Sequence, residues 1–117
     1  MGARAQIKVN QGPVYLYTHH GSGEILKTAQ KGMKMGEPRW HDPEYLTRIL
    51  FDAMKGNDTD STTGYGIGVQ MHGDIDCYVA VDCSERKVSY HQYQNEVAFF
   101  EWSFEEFINA NLEEYNG

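Results

Sequence analysis

Cys77-Tyr78-Val79-Ala80-Val81-Asp82 and Lys87-Val88-Ser89-Tyr90-His91-Gln92 are two runs rich in β-branched and aromatic residues, separated only by residues 83–86. Runs of this composition read as strands, and so short a connection joins antiparallel neighbours. Working outward, Tyr65 to Val69 and Val97 to Glu101 read as further strands. At the start of the chain Ala3, Ala5, Ile7 and Val9 alternate with Arg4, Gln6 and Lys8, the period of a half-buried strand with one polar face. Gly12-Pro13 marks a turn and Val14 to Thr18 a second strand, so the chain opens with a hairpin.

Helical signals stand between these strand runs and after them. Ser22 offers a cap for a helix from Gly23 to about Met35, with Ile25, Leu26, Ala29 and Met33 inward, Lys27, Lys31 and Lys34 outward, and Gly32 as a weak point. Asp42-Pro43-Glu44 sets a capping side chain, a first-turn proline and an acid in their favoured order, and Leu46, Ile49, Leu50, Ala53 and Met54 recur at helical spacing until Gly56. Residues 57–64 are polar, a loop. Ser103-Phe104-Glu105-Glu106 is a capping box, after which Phe104, Phe107, Ile108, Leu112 and Tyr115 form the stripe of a closing helix. The order β-β-α-α-β-β-β-(β)-α segregates strands from helices. That predicts an α+β fold, an antiparallel sheet of about five to six strands with two to three helices on one face. At 117 residues the chain suffices for one domain that buries roughly 65% of its unfolded surface, spanning residues 1–117.

Charge narrows the function. Ten Lys and Arg against seventeen Asp and Glu give −7, which argues against direct nucleic-acid binding and against an anionic membrane surface. No segment approaches the ~20 apolar residues of a membrane span. The charge is divided: residues 1–56 carry +3 and residues 57–117 carry −10. Glu101, Glu105, Glu106, Glu113 and Glu114 fall within fourteen residues that hold no Lys or Arg, a candidate acidic partner surface. Such a surface suits a basic protein partner, or the basic helix of a second copy, and salt would weaken either contact. A solvated face with no partner is the plainer account.

Five histidines offer the most direct chemistry. His19, His20 and His72 each sit beside glycine at a strand end, and His72-Gly73-Asp74-Ile75-Asp76 adds two carboxylates. Should these segments meet, two imidazoles with Asp74 or Asp76 suit Zn²⁺ or a related divalent metal, or form the acid-base pair of a small hydrolase. No cofactor is otherwise implied, and polar loops that hold nothing remain the simple alternative. Tyr15, Tyr17, Arg39 and Trp40 are candidates to line a cleft for a nucleotide or small signal molecule. Cys77 and Cys83 bound one strand, which would hold them about 20 Å apart, too far to bridge. Two reduced thiols, with no apolar stretch of signal-peptide length after Met1, predict a cytoplasmic protein.

Several familiar signatures fail. Asp58 to Val69 begins like a calcium loop but has Thr63 where glycine is needed and Val69 where glutamate is needed. Gly64-Tyr65-Gly66-Ile67-Gly68-Val69 lacks the last glycine of a dinucleotide fingerprint and continues as a strand, so its glycines are expected to serve close backbone approach or a bulge. There is no phosphate-loop lysine motif and no G-x-S-x-G. The aromatic run Val97 to Phe104 suits the core, with any exposed remainder marking a contact surface.

Met1-Gly2-Ala3-Arg4-Ala5, Val14-Tyr15-Leu16-Tyr17-Thr18-His19 and Arg39-Trp40-His41-Asp42-Pro43-Glu44-Tyr45-Leu46 resemble a group of small proteins from prokaryotes and their phages. The resemblance covers the first half and brings no activity with it. It implies a short stand-alone protein of phage or mobile-element origin. The expectation from the whole sequence is a small acidic binding protein that self-associates or engages a basic partner through its second half. The rivals are the histidine-based hydrolase and the small-molecule binder.

Overall fold

Alternation in the strands assigns the faces, and the helices cover one of them. The computed structural model describes residues 3–9 and 14–115, Tyr115 by its backbone alone, and contains six strands and three α-helices. The strands are β1 (Ala5–Val9), β2 (Tyr15–Thr18), β3 (Tyr65–Gly68), β4 (Cys77–Asp82), β5 (Lys87–Gln92) and β6 (Phe100–Ser103). The helices are α1 (Ile25–Met35), α2 (Pro43–Lys55) and α3 (Phe104–Asn109). The α+β class is as expected. The sheet runs β3-β2-β1-β4-β5-β6, and every pairing is antiparallel except the central one. β1 and β4 are parallel, Ile7 facing Val79 and Val9 facing Val81. No tight turn joins these two strands: β2, the helices and β3 lie between them, and residues 69–76 carry the chain from the Gly68–Tyr15 end back to the Ala5–Thr18 end, where β4 starts parallel to β1. The Gly12-Pro13 turn lies outside the described residues.

On the helix side, Ala5, Ile7 and Val9 join Leu16, Val79, Val81 and Val88 in one core with Ile25, Met33, Leu50, Phe104 and Phe107. That core draws on both charge halves. α1 and α3 lie against the sheet, and α2 packs along α1. Gly32, expected to weaken α1, sits at this crossing: a Cβ there would stand 2.6 Å from Leu50 Cδ2 and 3.2 Å from Leu50 Cα. Its lost helix propensity is the condition for close packing.

Caps explain where the helices begin. Asp42 Oδ1 accepts from the backbone N–H groups of Glu44 and Tyr45, and Ser103 and Glu106 complete the capping box of α3. Ser22 does not cap α1. A 3₁₀ turn over Ser22–Glu24 precedes that helix, and the Ser22 hydroxyl donates to Asp76 Oδ2 at 3.1 Å instead. α3 is shorter than the apolar stripe implied, because Gln30 Nε2 caps its carbonyl end by donating to Phe107 O and Ala110 O, both at 2.9 Å; Leu112–Tyr115 follow as a 3₁₀ turn. The last strand starts later than its composition suggested, leaving Val97 and Phe99 exposed. No helix among the described residues is long and apolar enough to cross a membrane.

Candidate functional site

The face of the sheet opposite the helices carries Gln6, Tyr15, Tyr17, Tyr78, Ser89 and His91, set side by side by the strand register. Two connections fold back over it: one covers the cross-strand pair Tyr78–His91, and the other brings His72 against Tyr17.

Residues 93–99 close over the β4–β5 side. Tyr78 and His91 stack with ring centroids 4.3 Å apart and planes 5° from parallel. The backbone oxygen of Asn95 accepts from the Tyr78 hydroxyl at 3.2 Å and from His91 Nδ1 at 2.9 Å, while Ser89 Oγ lies 2.8 Å from Nε2. A carbonyl can only accept, so Nδ1 carries a proton there, and Nε2 has the Ser89 hydroxyl as its partner. With His91 only 6% exposed and both its nitrogens engaged, this pair is a piece of buried framework.

Residues 69–76 cross the β1–β2 side, and Gln6 fixes their path. Gln6 is completely buried, although alternation assigned it to a polar face. Its Nε2 donates to Gln70 O at 3.1 Å, and its Oε1 accepts from His72 N at 3.0 Å. The His72 carbonyl accepts from Gln94 Nε2 at 3.0 Å. The backbone of His72 is thus held on both sides, while its exposed ring stacks on Tyr17 at 4.4 Å and 24°.

Around that second pair the candidate histidines do meet. The Tyr17 hydroxyl lies 3.1 Å from His19 Nδ1, and Arg4 Nε donates to the same nitrogen at 3.3 Å. Arg4 Nε is also 3.4 Å from Asp74 Oδ2. His20 sets its ring edge-on to His19 at 4.4 Å. The start of β1, the end of β2 and residues 72–74 therefore converge, each anchored by main chain: Ser22 N donates to Ala3 O, His19 N to Gly64 O and Asp76 N to Arg4 O.

Because a guanidinium N–H can only donate, His19 Nδ1 is an acceptor, and the neutral ring carries its proton on Nε2. Loss of hydration, then the Arg4 guanidinium and the His20 ring, hold this imidazole below its usual pKa, with Asp74 pulling the other way. His19 and His20 border a cleft of about 830 Å³ with Tyr17, Tyr65, Glu24 and Asp58. No Lys or Arg lines it among the described residues. His72 and Asp74 border a second hollow of about 600 Å³.

A cationic guanidinium already occupies the Nδ1 side of His19, and no group of three or more His, Cys, Asp or Glu among the described residues could hold a metal ion. Asp74 pairs with Arg4, and the Asp76 carboxylate turns away to accept from the Ser22 hydroxyl, while its backbone carbonyl accepts from the N–H of Tyr93. Among the described residues neither carboxylate is hydrogen-bonded to an imidazole, the contact that an acid-base pair uses. Cys77 and Cys83 form no disulfide with each other, and burial pushes both thiols up, away from the reactive thiolate.

The cleft expected from Tyr15, Tyr17, Arg39 and Trp40 does not form. The two tyrosines lie on the helix-free face, whereas Trp40 is buried on the helix side, edge-on to Phe104 and donating to Met33 O at 3.0 Å. Arg39 stacks over Tyr45. The glycines of β3 also differ from expectation, since a Cβ at Gly66 or Gly68 would meet nothing within 4 Å. The acidic stretch is partly spoken for: Arg86 binds Glu105 at 2.7 Å and holds its carboxyl below the usual range, Lys87 lies 3.6 Å from Glu101, and Glu106 completes the capping box, while Glu113 and Glu114 are exposed.

Arg4, Gln6 and the hydroxyl of Tyr17 as a histidine partner escaped sequence reasoning. The one available signal is that Arg4 shares the parity of Gln6; Tyr17 joins their face only through the pairing of β1 with β2. No protein-family model, curated protein or solved structure matches the chain.

Proposed function

We propose that this chain is a small binding protein whose site is the cleft beside Arg4, Tyr17, His19, His20, His72 and Asp74. It takes a neutral, hydroxyl-bearing ring compound of the nucleoside or sugar kind. The observation that carries this reading is the contact network among those side chains, in which Tyr17, His19 and His20 line the open cleft and His72 and Asp74 border the second hollow. A wholly buried glutamine is spent on holding the segment that carries His72. Burying an amide is costly unless both its ends are bonded, and here both bonds go to residues 70–72. His19 Nε2–H offers a donor, Glu24 and Asp58 offer acceptors, and the rings of His20 and Tyr65 offer flat faces. Two carboxylates without a lining cation disfavour phosphorylated ligands.

Engaging a basic partner through the acidic half fits less well, because such a partner would have to displace Arg86 and Lys87 from Glu105 and Glu101. A hydrolase fits less well again, for want of a bonded imidazole-carboxylate pair.

Thermal shift with nucleosides, monosaccharides and their phosphates tests the proposal. A ligand at tenfold its Kd adds about 1.4 kcal/mol, a rise of roughly 5 °C for a domain of this size. The expected result is a rise with at least one neutral compound, a smaller one with its phosphate, and none in His19→Ala or His20→Ala. No rise at millimolar concentration across the panel refutes the proposal.

A further inference from the structure

We infer that β3 is the seam of a homodimer, pairing antiparallel with the same strand of a second copy. β3 is an outer strand of the sheet, and its edge is unusually bare. Native edges are guarded by charge, proline, a bulge or a covering element. Tyr65-Gly66-Ile67-Gly68-Val69 has no charged residue and no proline, and the nearest charges along the chain are Asp60 and Asp74. Ile67 is 62% exposed and Val69 70%. In a protein of net charge −7, this edge puts no like charges directly opposite one another when a second copy pairs with it.

The pattern is also self-complementary. Large and small residues alternate symmetrically about Ile67, so a two-fold pairing sets Ile67 against Ile67, Tyr65 against Val69 and Gly66 against Gly68 of the second copy. Backbone direction agrees. His19 N donates to Gly64 O, so Gly64, Gly66 and Gly68 turn their hydrogen-bonding groups toward β2. By alternation, those of Tyr65, Ile67 and Val69 point outward, and these are the residues that a seam centred on Ile67 bonds reciprocally. The apolar side chains then meet as aromatic–β-branched and β-branched pairs on one face.

So small a seam gives a concentration-dependent dimer rather than a permanent one. The seam shares Tyr65 with the proposed ligand cleft, but it rests on the β3 edge alone and its test needs no ligand. Sedimentation equilibrium across micromolar to millimolar protein is expected to show a dimer that Ile67→Lys abolishes, with circular dichroism unchanged because the side chain is exposed. Mild oxidation of Ile67→Cys is expected to give a covalent dimer, since directly opposed, hydrogen-bonded residues stand about 5.5 Å apart at Cα, within disulfide reach. Tyr65→Cys, offset from its own copy by four residues, is expected to give none. A monomeric wild type throughout that range overturns the inference. So does a dimer that survives Ile67→Lys yet dissolves in salt, the behaviour of the α1 lysines docking on the acidic half.

Discussion

Two histidine–tyrosine stacks sit on the same face of the same sheet, and they differ in everything but ring geometry. Tyr78–His91 is sealed beneath residues 93–99, with both imidazole nitrogens and the phenol bonded within the protein. Tyr17–His72 is left open: the protein bonds the backbone of His72 and exposes its ring. The first arrangement lowers the cost of burying polar rings. The second fixes a ring in place without satisfying it, which serves a ligand better than it serves stability.

The widest separation between the pairs comes from truncating each in turn. Tyr78→Ala is expected to cost about 3 kcal/mol and to lower Tm by more than about 10 °C, because it empties buried volume and strips a partner from Asn95. His72→Ala, at an exposed ring, is expected to change stability by less than about 0.5 kcal/mol while weakening ligand binding roughly fivefold. Denaturant titration checks both, and equal losses would erase the distinction. Between them falls Gln6→Ala, which orphans the N–H of His72 and the carbonyl of Gln70. A loss of about 2 kcal/mol and faster amide exchange over residues 70–74 are expected, with residues 93–99 unaffected.

The smallest effect is in pH. The folded-state pKa of His19 lies below its unfolded value of 6.5, so between those values the unfolded chain binds more protons. Stability is therefore lost as pH falls from 6.5 toward the lowered value, and His19→Gln should flatten that part of the stability–pH curve. A curve that His19→Gln leaves unaltered would contradict the assigned Arg4–His19 contact.

Local signals carried most of the fold. Asp42-Pro43-Glu44 and the Ser103 capping box specify helix starts within a few residues, and period-two alternation marks β1, β4 and β5. What depended on contacts remote in sequence was not legible. The parallel pairing of β1 with β4 depends on residues 69–76 crossing back over the sheet after β3, a path held by the remote Gln6 side chain. Alternation gave Gln6 its face correctly but says nothing about what covers that face. Likewise His19, His20, His72 and Asp74 stood out as strand-end residues, yet the arginine and tyrosine that organise them come in through register. Tyr15 and Tyr17 were grouped with Arg39 and Trp40 by aromatic character, and the sheet places them on opposite sides.

The central claim is that the open pair marks a binding site and the sealed pair does not. Side-chain NMR of the histidines and tyrosines during titration with the neutral ring compounds tests it most directly. The account predicts progressive shifts at His19, His20, His72 and Tyr17, with His91 and Tyr78 unmoved. Shifts centred on His91 and Tyr78, or none at either pair up to millimolar ligand, would contradict it.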